Sequence, residues 1–173
     1  MAQRKNRSTP CCDTAQNRAH YARADQLHPF EGKILTIARC FFQTFACPGG
    51  QSWMDSFKMA DVYFKSEDAA QMALGILNIV QTMRIARNST FQFSNPLCPG
   101  CARLMTETER QLTSALSAVR LGQRSTAHIH ALLLTEGNDT GPMLNAMQEL
   151  CAYAEETQRI AEPILPEGKR ATI

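Results

Sequence analysis

The chain of 173 residues is 44% hydrophobic and 20% charged, which is the composition of one ordinary globular domain. A domain of this length buries well over half of its unfolded surface, which excludes a need for a stabilising disulfide or metal. The net charge of +2 is unevenly spread, because residues 1–24 hold five basic residues and one acidic residue. Such a basic arm is compatible with contact to nucleic acid or anionic lipid, although most tails of this kind are simply solvated.

The cysteine count and the apolar segments indicate the cellular compartment in which the protein works. The first residues are basic but no apolar stretch follows them, so we expect no secretory signal. The longest apolar segments, residues 34–46 and 72–83, are interrupted by polar residues, so we expect no membrane span. Seven cysteines in a chain without an export signal favour reduced thiols over a disulfide framework. We therefore expect a cytoplasmic protein.

The two ends of the chain are predicted to lie outside the folded domain. Residues 1–13 are polar and basic and predict a disordered tail. Residues 14–163 are expected to form one all-α domain, followed by a flexible C-terminal tail at 164–173. Residues 14–27 carry only a thin face of alanines, so they predict a weak helix that ends before Pro29.

The first half of the domain is predicted to contain three firm helices. Apolar residues recur every three or four positions in residues 31–46 and 51–64, which predicts a helical hairpin with a Cys-Pro-Gly-Gly break. The third helix, residues 66–87, has apolar residues on almost all sides, so we expect it to be the most buried helix of the domain. Its Gly75 is expected to mark a close crossing with another helix.

The second half is predicted to contain three more helices. Thr106 and Glu109 have the spacing of a capping box, which opens a helix that ends near Gly122. The next helix spans residues 125–137, and the last spans residues 139–163. The helix at 125–137 is traced by its large aliphatic residues Ile129, Leu132 and Leu133.

Six firm helices and one weak helix, joined by short connections, predict an all-α fold. The expected architecture is a single-domain helical bundle of six to seven helices. A central connection in residues 91–109 joins its two halves and contains the sequence Cys98-Pro99-Gly100-Cys101. This connection holds the chemically most informative cysteine spacing of the chain.

Cys98 and Cys101 have the spacing of a turn in which two thiolates bind one zinc ion. Cys47 also precedes a Pro-Gly pair at a helix end, so it is the predicted third ligand. The sequence thus predicts a small structural or sensing zinc site at Cys98, Cys101 and Cys47. No pattern identifies the fourth ligand, which would come from Cys12, His20 or His28.

Two other interpretations of Cys98 and Cys101 stay open. A thiol just ahead of a helix has a lowered pKa, and cysteines separated by two residues can close a reversible disulfide, which is the chemistry of a redox switch. In the other interpretation, proline and glycine build a turn and the thiols only pack. Cys151 lies beside the apolar stripe of the last helix and is expected to be a core thiol.

Residues 106–136 also have the order of a helix-turn-helix, in which polar residues at the start of the second helix contact bases. The first helix is long for that motif, and a plain antiparallel hairpin explains the same pattern. His128 and His130 belong to the second helix and point in opposite directions, so they cannot share a metal. We expect both to be solvated or hydrogen-bonded.

The chain lacks the sequence motifs of phosphate-binding loops, serine hydrolases, zinc proteases and dinucleotide-binding folds. We therefore expect no enzymatic activity and interpret the chain as a helical accessory or regulatory protein that binds a protein partner. Of Trp53, Phe41 and Phe42, any that is exposed would mark the partner surface. The alternatives are a DNA-binding regulator that uses residues 106–136 and a thiol redox switch at the central cysteine pair.

Overall fold

Helices dominate residues 22–161, which are the residues that the computed structural model describes. The helices are α1 Pro29–Ala46, α2 Ser52–Tyr63, α3 Ser66–Ala86, α4 Pro99–Ala102, α5 Glu107–Arg120, α6 Arg124–Leu134 and α7 Gly141–Ala161. The predicted all-α class and single-domain helical bundle are confirmed. The predicted tails at 1–13 and 164–173, and with them the ends of the domain, lie outside the described residues.

The beginning of the described chain differs from the prediction. Ala22–Arg23 form a short strand, β1, which pairs antiparallel with β2, Leu104–Met105. Ala24–Gln26 then form a 3-10 turn, whose first amide donates to the carbonyl of Arg103 at 2.9 Å. The predicted weak helix at 14–27 is therefore wrong over its described part, because Ala22–Arg23 pair with a distant strand and only one short 3-10 turn follows them.

α1 lies at the centre of the bundle and packs against α2, α3 and α5. Ten of its 18 residues are buried, compared with seven of the 21 residues of α3. The prediction that α3 is the most buried helix is wrong, since Leu74 and Ile85 of that helix are exposed. Apolar residues around a helix do not show which of its sides have neighbours, and part of α3 faces solvent.

The core is formed by large side chains from α1, α3, α5 and α7. Those almost completely inaccessible to solvent include Ile37, Met72, Ile76, Leu116, Met143 and Met147. The three methionines fill irregular space between helices, a role for which the unbranched thioether side chain is suited. Within residues 22–161, no helix has both the length and the apolar composition that crossing a bilayer requires.

A carboxylate at the start of α1 joins that helix to the end of α5. Glu31 is buried, and its Oε1 accepts from Nε of Arg120 at 2.8 Å. The other oxygen lies 3.1 Å from Nδ1 of His28. His28 also caps α1, because its Nδ1 accepts from the amide of Phe30 at 3.3 Å. This end of α1 is therefore fixed by polar contacts as well as by packing.

Gly75 lies where α3 and α7 cross. A Cβ atom built on Gly75 would lie 2.7 Å from Cδ1 of Leu150 in α7, which is closer than carbon atoms approach without a shift. Leu150 is buried in the core cluster. The predicted close crossing at Gly75 is therefore confirmed.

α5 begins and ends as its sequence predicts. The amide of Glu109 donates to Oγ1 of Thr106 at 3.2 Å, and the amide of Thr106 donates to Oε2 of Glu109 at 2.9 Å. These two bonds form the predicted capping box. Gly122 has φ of +69°, the left-handed conformation that glycine adopts at helix ends.

α6 packs on the core mainly through small residues. Its buried residues are Ala127, Ala131 and Leu134. The larger residues Ile129, Leu132 and Leu133 are 58%, 37% and 58% exposed. Both sets of residues recur at helical spacing, and the small alanines allow α6 to approach α5 closely. The larger aliphatic side chains therefore remain on the outer face.

Gly75→Ala should lower the free energy of unfolding by about 1–3 kcal/mol relative to Gly32→Ala. This difference is the usual penalty of overpacking a core. Gly32 in α1 is the matched control, because a Cβ there meets no atom within 4 Å. Alanine at that control position should add about 0.5–1 kcal/mol of stability. Urea unfolding measures both changes. Gly75→Ala should become stabilising in a Leu150→Ala background, and equal effects of the two single changes would contradict a tight crossing.

Candidate functional site

The structure places the central connection at residues 87–106, not 91–109, because α3 ends at Ala86 and α5 already begins at Glu107. This connection carries the cysteine pair. Apart from α4 and β2 it has little regular structure. Its position is set by two buried, charged side chains, Arg39 of α1 and Glu109 of α5. Arg39 is 3% exposed and Glu109 is fully buried.

Arg39 and Glu109 form a two-bond ion pair. Nε of Arg39 donates to Oε1 of Glu109 at 2.7 Å, and Nη2 donates to Oε2 at 2.9 Å. The guanidinium also donates to the carbonyls of Ala102 at 2.7 Å and Leu104 at 2.6 Å. This planar, bidentate arrangement suits arginine and makes strong charge-assisted bonds.

Glu109 receives further bonds from the central connection. Its Oε1 accepts from the amide of Ser94 at 3.0 Å, and its Oε2 accepts from the amide of Thr106. From the sequence, Glu109 could be assigned only to the capping box, and Arg39 is one of the polar residues that interrupt the apolar segment 34–46. An arginine inside the apolar stripe of a central helix is the signal that indicates a buried partner, but it does not indicate which carboxylate.

The cysteine turn consists of Cys98, which precedes α4, and Cys101, which lies within α4; both residues are half-buried. The amide of Ala102 donates to the carbonyl of Cys98 at 2.8 Å. The carbonyl of Ala102 in turn accepts from Arg39. The buried ion pair therefore fixes the end of the cysteine turn.

The predicted zinc ligands lie on two separate segments. Cys98 and Cys101 share one turn and are the pair that could supply two thiolates to a metal. Cys47 is exposed and follows directly after α1. Within residues 22–161, no group of three or more His, Cys, Asp or Glu side chains is arranged to hold a metal ion. A zinc site at these cysteines stays a prediction, as does a redox switch at the pair.

Cys40 and Cys151 are buried thiols. Burial raises the pKa of each to about 11, because a thiolate would lose its hydration there. Cys151 belongs to the core cluster, which confirms the prediction that it packs there. Both residues are therefore uncharged at neutral pH and poorly suited to act as nucleophiles.

The two histidines of α6 make contacts within the bundle. Nδ1 of His128 lies 3.3 Å from Oγ1 of Thr140 at the start of α7. Nδ1 of His130 is hydrogen-bonded to Oε1 of Gln111 in α5. The expectation of hydrogen-bonded histidines is confirmed. DNA binding by residues 106–136 stays a prediction.

A groove of about 320 Å³ lies between the ends of α1 and α3 and the start of the central connection. We call it the aromatic groove. Its apolar lining comprises Phe42, Phe45, Ala46, Met83, Phe91 and Phe93. The rings of Phe42 and Phe91 stack with centroids 4.2 Å apart, and Phe93 lies 5.7 Å from Phe42. The central connection therefore forms one wall of this groove.

Two arginines lie above the aromatic rings. Cζ of Arg84 lies 4.7 Å from the centroid of Phe45, and Cζ of Arg87 lies 5.6 Å from that of Phe91. Arg87 pairs with Glu136 at 3.1 Å. Arg84 donates to the amide oxygen of Gln81, and no carboxylate of residues 22–161 lies within salt-bridge distance of it. The groove therefore combines an apolar floor with one uncompensated positive charge.

Glu136 fastens the loop after α6 to the end of α3. It accepts hydrogen bonds from the amides of Asn88 and Ser89 and from the hydroxyl of Ser89. The bond from the Ser89 hydroxyl, followed by that from the Asn88 amide, holds the pKa of Glu136 below its usual range. Glu136 thus holds Asn88 and Ser89, which line the aromatic groove, in place.

Two aromatic side chains are exposed at the end of the α1–α2 hairpin. Trp53 is 50% exposed, whereas Phe41 and Phe42 are buried. Trp53 lies in the first turn of α2, at the same end of the α1–α2 hairpin as Phe45. Phe45 is 37% exposed. We call Phe45, Trp53 and the aromatic groove together the aromatic end.

The chain matches no protein-family model, and comparisons with curated proteins and with solved structures also find no match. A function for the chain is therefore inferred from the residues and contacts described above.

Arg39→Met should lower the free energy of unfolding by about 3–5 kcal/mol, because it leaves the Glu109 charge buried and unpaired. The double variant Arg39→Met/Glu109→Gln should lose less than the sum of the two single changes. Urea denaturation at neutral pH provides the values. Arg110→Met is the control, since Arg110 pairs with Glu107 at the surface and should cost at most about 1 kcal/mol. Strict additivity at Arg39 and Glu109 would contradict a coupled pair.

Alkylation of the native protein with iodoacetamide at pH 8 should modify Cys47 well before Cys40 and Cys151. The thiolate is the reacting form, and both buried thiols keep their protons until far higher pH. Timed labelling followed by peptide mass spectrometry gives the three rates. In urea the three rates should converge. Equal initial rates in the native protein would show that the interior is open to solvent.

Proposed function

We propose that this protein is a non-enzymatic cytoplasmic accessory or regulatory protein that binds a partner protein through the aromatic end. The aromatic groove would receive one large apolar side chain of the partner, and Arg84 would pair with an adjacent carboxylate. The observation that supports this proposal is the pairing of an exposed phenylalanine, Phe45, with Arg84 at 4.7 Å above an open groove.

The apolar part of the aromatic end favours a protein partner. Trp53 and Phe45 keep large aromatic surfaces in contact with water. Exposed aromatic groups beside a concave surface are typical of the positions that contribute most to binding between proteins. Their burial under a partner would recover the free energy that their exposure costs, which is about 25 cal/mol per Å² of apolar surface.

The charge at the groove defines the partner segment more closely. Arg84 can donate two parallel hydrogen bonds to a carboxylate, which lysine cannot do. Asn88, Ser89 and Thr90 also line the groove and form its polar rim. An apolar residue next to Asp, Glu or a free C-terminal carboxylate fits both features.

Peptides selected from a random displayed library on the full chain should place an aromatic or large aliphatic residue beside a carboxylate. A synthetic peptide of that sequence should bind in fluorescence anisotropy, and Phe45→Ala or Arg84→Glu should weaken binding at least tenfold. Arg124→Glu is the matched control, because Arg124 is exposed but does not line the groove.

A charge exchange makes this test specific. A peptide in which lysine replaces the acidic residue should bind Arg84→Glu better than it binds the wild-type chain, because the two charges have been exchanged. Selected peptides without an acidic group, or peptides that bind Arg84→Glu and the wild-type chain equally, would exclude the proposed contact.

A further inference from the structure

A second cleft, of about 290 Å³, lies at the opposite end of α1 from the aromatic groove. It forms where α1 and α3 begin, where α2 ends and beside the later turns of α7. Phe30 lines this cleft and Phe42 lines the groove. These two residues are 12 positions apart on α1, or about 18 Å at 1.5 Å per residue. The two concave surfaces are therefore separate.

The walls of this cleft are largely apolar. They include Pro29, Phe30, Phe64, Met72 and Ala154. The volume lies near the lower end of the range found for small-molecule sites, about 300–1,000 Å³. A short acyl chain or a single ring would fill it.

Two ammonium groups give the cleft its charge. Nζ of Lys33 donates to the carbonyl of Tyr63 at 3.3 Å and lies 5.6 Å from the ring centroid of Phe64. An ammonium has three protons to donate, so further donors remain on Lys33. Lys65 lines the same cleft at the entrance to α3. Within residues 22–161, neither lysine forms a salt bridge.

The other polar groups of the cleft do not cancel this charge. Asp68 is the acidic residue of the lining, and its Oδ1 accepts from the hydroxyl of Tyr153 at 2.9 Å. His28 is occupied by the amide of Phe30 and lies beside Glu31. Two lysines against one carboxylate leave the cleft positive, above an apolar floor.

We propose that this cleft binds a small ligand with a short apolar body and one anionic head group, a carboxylate or a phosphate monoester. The head group lies between the ammonium groups of Lys33 and Lys65, and the apolar body packs on Phe64 and Met72. This site is independent of partner binding at the aromatic end. The protein would then bind a small molecule in this cleft as well as a partner protein at the aromatic end.

Titration with sodium octanoate, followed by NMR of ¹³C-labelled methionine methyl groups in the full chain, tests the proposal. The Met72 signal should shift saturably and at a lower octanoate concentration than the Met83 signal, because Met72 lines the cleft whereas Met83 lines the aromatic groove. Octylammonium has the same chain with the opposite charge and should not shift Met72. Hexyl phosphate in a parallel titration identifies the preferred head group by its relative affinity.

Lys33→Met and Lys65→Met should each weaken octanoate binding about fivefold or more, and the double variant should weaken it further. Lys58→Met is the control, since Lys58 lies on α2 outside the cleft and pairs with Asp55. Circular dichroism establishes that the variants are folded, and the octylammonium comparison needs no variant. A shift of Met83 in place of Met72, equal binding of octylammonium, or unchanged affinity in the folded double variant would overturn the proposal.

Discussion

A guanidinium and a carboxylate that are buried side by side hold the two halves of this bundle in one arrangement. Arg39 and Glu109 both give up hydration, and their mutual attraction offsets that loss only if their remaining hydrogen-bonding positions are also satisfied. Here four backbone groups of the central connection complete the network, at Ser94, Ala102, Leu104 and Thr106. This buried pair thus fixes the path of the chain between α1 and α5, and together with the contact of Glu31 with Arg120 it holds the two helices against each other.

This contact explains how a segment with little regular structure can present defined chemistry. One part of the central connection places Phe91 and Phe93 against Phe42, which forms the floor of the aromatic groove. Another part holds Cys98 and Cys101 on a short turn that Arg39 fixes at Ala102. The groove and the cysteine turn are therefore positioned by the same buried pair, although they differ in chemistry. The cleft that Lys33 and Lys65 line is formed instead at the opposite end of α1.

The helices could be predicted because their signals are local. Apolar periodicity, the capping box of Thr106 and Glu109, and glycine at a crossing each depend on residues a few positions apart. The orientation of α6 could not be predicted, because the helix has one face of alanines and one of larger aliphatic residues, and tertiary packing selects the alanines. The hydrogen-bond partners of Arg39 could not be predicted either, because they lie 63 to 70 positions further along the chain. The groove and the cleft each draw residues from several helices, so no local pattern contains them.

The separation of Arg39 and Glu109 also bears on how the chain acquires its structure. A contact across 70 positions forms only after the ends of a long loop have met. A fragment that stopped inside the central connection would keep the arginine in the apolar stripe of α1 without its carboxylate. We therefore expect neither half to fold alone, because each would bury one charge without its partner, and order in the bundle should be gained and lost in one cooperative step.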